Sequence, residues 1–193
     1  MDKFSNIQNQ VPPVEEEEVY HNDHINIIKY KNNEIIVGKD SIAVLPYMID
    51  EGMIFMRLEY LPAYQYRNKD NQNMKNITNY LTVITGGIEK GETPQQALRR
   101  ELFEEGGIAV SNMYDFEIEG PFFQGKYGTS VLYTCIMELR MSHYRQVKPP
   151  TDGSGNEKLS KNVKVSLGDL DHIVTNDLIT KFLLTKLKSD FKL

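Results

Sequence analysis

Cysteine is nearly missing from this chain: among 193 residues there is one, Cys135. A single thiol excludes an intrachain disulfide framework and a cysteine-based zinc site, and it fits a reducing, cytoplasmic compartment. Cys135 lies in an apolar run, where a small buried hydrophobe is its expected role. There is no long basic run either, and the formal net charge is −5, which argues against a dedicated nucleic-acid binder. No apolar run reaches the ~20 residues of a membrane span, and the first ten residues lack the apolar centre of a secretory signal. No internal repeat or low-complexity tract appears. What is present is ordinary for a globular chain, 40% hydrophobic and 25% charged, and long enough for one sizeable core with a small appended subdomain.

The unusual stretch is residues 86–108, G-G-I-E-K-G-E-T-P-Q-Q-A-L-R-R-E-L-F-E-E-G-G-I. A glycine-rich turn runs into a short helix. Thr93 is a good N-cap, Pro94 occupies the first helical position, where its missing N–H costs nothing, and Gln96 stands where a capping box wants Glu or Gln. Strong helix formers follow, and Gly106 with Gly107 offers a left-handed stop, so the helix is expected from about Pro94 to about Glu105.

On that helix Glu101, Glu104 and Glu105 stand at i, i+3 and i+4 and share one face. Like charges at this spacing repel by about a few tenths of a kcal/mol per pair, and Glu104 and Glu105 also lie at the negative end of the helix dipole. Arg100 reaches Glu104 at i+4, but one arginine does not neutralise three glutamates. Either the face is simply solvated, or a hard divalent cation such as Mg²⁺ or Mn²⁺ gathers the carboxylates.

The whole pattern of the segment bears on this choice through a resemblance. The segment resembles the Nudix box, Gly-x5-Glu-x7-Arg-Glu-U-x-Glu-Glu-x-Gly-U with U aliphatic, and departs from it nowhere: Gly86, Glu92, Arg100, Glu101, Leu102, Glu104, Glu105, Gly107 and Ile108 fill its positions. At usage of about 7% per residue type, its seven fixed positions would coincide by chance in about one chain of this length in a million.

The rest of the chain reads as follows. Residues 1–18 are polar, contain Pro12-Pro13 and end in four glutamates, the pattern of a flexible arm. Residues 24–38 form two β-rich pieces around Asn32-Asn33, a hairpin signal. His21 and His24 stand before it with no ligand cluster nearby, and both read as surface or interface residues. Two strands are expected at 41–47 and 53–60, joined by a turn at Asp50-Glu51-Gly52, then a polar loop at 67–79 and a strand at 80–85 leading into the box. Strands at 116–123 and 130–141 follow, with the stretch 124–129 between them, then a loop at 148–160 and a strand at 162–166. A helix at 176–187 closes the chain, its Leu178, Ile179, Phe182, Leu183 and Leu187 forming an apolar stripe for the core.

The resemblance implies an α/β fold, a mixed sheet sandwiched between helices. Residues 1–40 would form the arm and a small N-terminal β-hairpin subdomain, and 41–193 the Nudix domain. It implies metal-dependent hydrolysis of a nucleoside diphosphate linked to another moiety, yielding a nucleoside monophosphate and a second phosphorylated product. Glu101, Glu104 and Glu105 would be metal ligands, with the backbone carbonyl of Thr85 as a further one. Arg100 would orient the glutamates, and Glu92 would brace the loop by bonding Arg100 or backbone N–H groups.

The layout is closest to the ADP-ribose pyrophosphatase-like branch, whose N-terminal β-subdomain helps form a homodimer. In that branch the general base is often a glutamate on a late loop, which Glu157 matches; Glu105 or another box glutamate is the alternative. The run P-F-F-Q-G-K-Y-G-T-S, residues 121–130, resembles that branch's loop after the box. Two positions depart from the branch: Thr82 stands where a glutamate is usual, and Tyr127 where a proline is. Tyr64, Tyr66 and Tyr127 are candidates to stack on a base. ADP-ribose or a related nucleotide sugar is therefore the expected substrate. Dinucleoside polyphosphates, NADH and capped RNA remain alternatives, as does a nucleotide sensor that does not cleave; against isomerisation of a prenyl diphosphate stands the lone cysteine.

Overall fold

The structure is a computed structural model that describes residues 16–21, 26–30, 32–60, 79–111, 116–140, 144–147, 160–175 and 177–191. The chain divides into two compact units, one formed by Met1–Lys39 with Phe123–Val131, the other by Asp40–Phe122 with Leu132–Leu193.

The first unit is built on a sheet of β1 (Glu16–His21), β2 (Asn26–Tyr30) and β3 (Asn33–Val37), each antiparallel to the next. Two expectations change here. The glutamates at 16–18 open a strand paired with β2 instead of ending a flexible arm. Asn33 pairs with Tyr30 as the first residue of β3, so it lies outside the turn. The exposed edge of β3 is capped from the segment after residue 123: Ile36 N–H donates to the Tyr127 carbonyl at 2.8 Å, and Thr129 N–H donates to the Ile36 carbonyl at 3.0 Å.

The second unit holds a mixed sheet between two helices, and a short antiparallel pair of β8 (Ile108–Val110) with β11 (Tyr144–Gln146). The path of the mixed sheet runs β12 (Lys161–Ser166), β5 (Met53–Tyr60), β4 (Ser41–Met48), β10 (Val131–Glu138), β9 (Ile118–Phe123), with β10 parallel to β4. In β4 successive residues are buried on opposite faces. Ile42, Val44 and Met48 join one core cluster with Ala97, Leu98 and Leu102 of α1 (Pro94–Glu104), while Ala43, Leu45 and Tyr47 join a second with Leu183, Leu184 and Leu187 of α2 (Leu178–Phe191). A strand covered on both sides reads as a continuous apolar run, as S-I-A-V-L-P-Y-M does. Cys135, on β10, is 1% exposed, and burial pushes its thiol up to about 12. Among the described residues no helix is long and apolar enough to cross a membrane.

The α2 stripe differs from the expected one. Leu183 and Leu187 are buried, with Thr180 and Leu184, but Leu178 is 81% exposed and Phe182 43%. Residues 180, 183, 184 and 187 lie on one helical face, from which 178 and 182 are rotated away.

β4 and β5 pair only near their shared turn, at Tyr47–Ile54 and Met48–Met53. Beyond it they part, and the chain returning to the site fills the gap: β6 (Asn79–Thr82) pairs with β5, then β7 (Ile84–Gly87) pairs with β4. Val83, at the crossing, falls outside both ladders. Its N–H donates to the Thr180 hydroxyl at 3.0 Å, which satisfies a buried donor that no strand serves. This crossing delivers Thr85 and Gly86 beside α1.

Candidate active site

The site begins where β7 ends. Thr85 pairs with Ala43 and Gly86 with Ile42. A Cβ placed on Gly86 would fall 1.8 Å from the carboxyl carbon of Glu101, so the Glu101 carboxylate rests directly on the backbone at this turn. Only glycine leaves that room.

Helix α1 is started by the capping box read from the sequence. Gln96 N–H donates to the Thr93 hydroxyl at 3.2 Å and Thr93 N–H donates to the Gln96 side-chain oxygen at 2.8 Å. Its end is marked by Glu105 as C-cap and by Gly107 at φ 62°, the left-handed stop. Glu101 lies on the helix face that carries Ala97, Leu98 and Leu102 into the core, and is itself 5% exposed. Burial raises its carboxyl to about 7; Arg100 pulls the other way, and Glu105 and Glu104 add to the rise.

Arg100 is the hub. Its Nε and Nη2 donate to the two oxygens of Glu92, both at 3.0 Å. Its Nη1 donates to Glu101 Oε1 at 2.6 Å and to Glu104 Oε2 at 3.1 Å, and Nη2 donates to the Gly87 carbonyl at 2.7 Å. Glu92 also accepts from Glu89 N–H at 2.9 Å. The bidentate pair with Arg100 holds the Glu92 carboxyl below its ordinary range and raises the guanidinium above its own.

A second arginine, which sequence reasoning passed over, serves Glu105. Arg57 of β5 is 7% exposed. Its Nη2 lies 2.5 Å from Glu105 Oε2, its Nη1 donates to the Glu105 backbone carbonyl, and its Nε donates to Glu59 Oε1 at 2.9 Å. Burial raises the Glu59 carboxyl above the usual carboxylate range against the opposing pull of Arg57. The available signal was an arginine inside M-I-F-M-R-L-E-Y, two residues on from Phe55 and so on the same strand face.

The three carboxylates at the end of α1, Glu101, Glu104 and Glu105, are thus divided between two arginines, and among the described residues no three His, Cys, Asp or Glu side chains converge as a metal-binding group. In chemistry the donors suit a hard divalent cation: carboxylates at one helix end, one of them largely withdrawn from water, beside the backbone at Thr85 and Gly86.

Glu157, Tyr64 and Tyr66 lie outside the described residues, as do the loops expected at 67–79, except Asn79, and at 148–160, except Ser160. Tyr127 is half exposed in the first unit, with Lys126 Nζ 5.2 Å from its ring centroid. Thr82, where the ADP-ribose branch usually has a glutamate, is 2% exposed, and its hydroxyl is 3.1 Å from that of Thr180. That position is committed to the core.

Comparison with known proteins agrees with this layout. A family model described as NUDIX domain matches residues 63–169, more than half of the chain. No curated protein matches the sequence. Among solved structures, the crystal structure of an ADP compounds hydrolase is similar over 95% of each chain, with a TM-score of 0.65 at 16% identity, a likeness of fold.

Proposed function

We propose, from the premise that this chain belongs to the NUDIX domain family and is a pyrophosphohydrolase, that it cleaves the phosphoanhydride of ADP-ribose or a related nucleotide sugar, with Mg²⁺ or Mn²⁺ as its cofactor. The products would be a nucleoside monophosphate and a sugar phosphate. The observation that carries the reading is the Glu101 carboxylate, buried against Gly86, braced by Arg100 and followed within one turn by two more carboxylates. Such an arrangement weakens an apo fold and is justified by a ligand that needs it. The substrate assignment is supported by the run at 121–130 and by the fold shared with a solved ADP compounds hydrolase.

In this reading Glu101, Glu104, Glu105 and the Thr85 carbonyl hold the cation, which when bound supplies charge neutralisation at the diphosphate and a more acidic water. Arg100 orients Glu101 and Glu104 through its fork, and Glu92 fixes Arg100 from the opposite side. Glu157 accepts the proton of the attacking water, with Glu105 the alternative base. The protein would work as a homodimer in the cytoplasm, with small nucleotides as its partners.

The test is product analysis. Incubation with Mg²⁺ and, separately, ADP-ribose, diadenosine polyphosphates, NADH, nucleoside triphosphates and 5′-capped RNA, read by mass spectrometry, should show AMP and ribose 5-phosphate from ADP-ribose at the highest kcat/KM. Faster turnover of another member would move the substrate to that class. Tight nucleotide binding with no turnover of any would leave a sensor.

A further inference from the structure

We propose that Arg57 is a positioning residue that sets the Glu105 carboxylate for the cation; the inference rests on the metal-dependent reading above. The guanidinium grips two groups of one residue, the Glu105 carboxylate at 2.5 Å and the Glu105 backbone carbonyl. A side chain tied to its own backbone through a shared rigid fork has one conformation selected from its rotamers. The carbonyl belongs to the C-cap residue of α1, where a cation meets the negative end of the helix dipole.

Arg57 is itself over-determined. Glu59 holds Nε at 2.9 Å, Asn162 Oδ1 of β12 stands 3.5 Å from Nη1, and the side chain is only 8% exposed. The fork therefore carries the position of β5 and β12 to the end of α1. Arg100 does the same for Glu101 and Glu104 from the other side. Two buried or half-buried arginines thus divide three mutually repelling carboxylates. A partner that orients a metal ligand typically contributes a factor of about 10–100 in affinity or activity.

The experiment measures Mn²⁺ binding by the metal-free protein, without nucleotide, from the loss of the free-ion electron paramagnetic resonance signal. Steady-state kinetics on ADP-ribose run alongside. Arg57→Met should raise the Mn²⁺ dissociation constant about tenfold and lower kcat with little change in KM. Arg57→Lys keeps the charge but not the fork, and should restore less than half of the lost affinity on a logarithmic scale. Leu187→Ala, a cavity in the buried α2 face of the other core cluster, reports general destabilisation and should leave Mn²⁺ binding unchanged.

If Arg57→Met does not fold, its combination with Glu59→Gln removes both charges of the buried pair and carries the same expectation. Wild-type Mn²⁺ affinity in folded Arg57→Met, or full recovery by lysine, would overturn the positioning role while the parent reading stands. A wild-type protein that neither binds Mn²⁺ nor hydrolyses any nucleotide would overturn both.

Discussion

The carboxylate of Glu101 rests on the backbone of Gly86, its carboxyl carbon 1.8 Å from where a glycine Cβ would be. Two segments fifteen positions apart in sequence are thereby locked face to face, the turn that closes β7 and the buried stripe of α1. Gly86→Ala should force the carboxylate away from this seat and draw Glu101 off Arg100. The expected result is a loss of kcat of at least about 100-fold, the cost of misplacing a reacting group by about an ångström, with a thermal midpoint lower by several degrees. Gly87→Ala is the control, because a Cβ there meets nothing within 4 Å; its thermal midpoint should stay within about two degrees of wild type, since a surface substitution of this kind stays within about 0.5 kcal/mol. Unchanged turnover in Gly86→Ala would show that the contact has no bearing on the reaction.

Burial of Glu101 makes the metal-free protein pH-sensitive in a defined window. The folded-state pKa is raised from 4.5 to about 7. Below about pH 4.5 the residue is protonated in both states and contributes nothing to the difference. As pH rises towards 7 the unfolded chain releases its proton first, and folding loses up to about 2–3 kcal/mol, a penalty that is then constant. Glu101→Gln should therefore stabilise the EDTA-treated protein by about that amount at pH 8 and by almost nothing at pH 4, as read by urea denaturation. Equal effects at both pH values would contradict the raised pKa. Mg²⁺, the proposed cofactor, should raise the thermal midpoint of the wild type and not that of this variant.

Much of this was legible in the chain, for physical reasons that differ from residue to residue. Local signals carried α1: a cap, a proline, a capping-box glutamine and a glycine stop all act within about four residues, and the helix formed within those limits. The box residues were legible because their chemistry needs fixed spacing on one helix. Arg57 was not, because its partner Glu105 lies 48 positions away and nothing local marks a strand arginine as a ligand of a distant helix end. The pairing of Glu16–His21 with β2 was hidden by composition, since a run of glutamates scores as solvated wherever no partner strand is known. The exposure of Leu178 and Phe182 was hidden because periodicity fixes a helix face but not its width.

The general base rests on sequence alone. Glu157 stands in T-D-G-S-G-N-E-K, outside the described residues, where the ADP-ribose branch often carries its base. Glu157→Gln should lower kcat by about 10²–10⁴ while Mn²⁺ affinity stays within about twofold, because it is not proposed as a ligand. A variant with wild-type kcat would transfer the role to Glu105. In that case Glu105→Gln should lower kcat by about 10²–10⁴ as well as weaken metal binding.

Thr180 links the second helix to the site without touching it. Its hydroxyl is fully buried, accepts the Val83 N–H at 3.0 Å and meets the Thr82 hydroxyl at 3.1 Å. Valine has nearly the same shape but offers no acceptor. Thr180→Val therefore strands the one N–H that the crossing from β6 to β7 leaves outside both ladders. An unsatisfied buried donor costs about 1–3 kcal/mol, which for a chain of this size lowers the thermal midpoint by roughly 3–10 °C. The weakening should be local first. Amide exchange should accelerate at Val83 and Ile84 before it does in the paired centre of β4, because the crossing opens without breaking that ladder. Thr180→Ser keeps the acceptor and should recover most of the protection at Val83 despite the lost methyl. Equal acceleration by serine and valine would mean that α2 holds the crossing by packing alone, and that the hydroxyl is incidental.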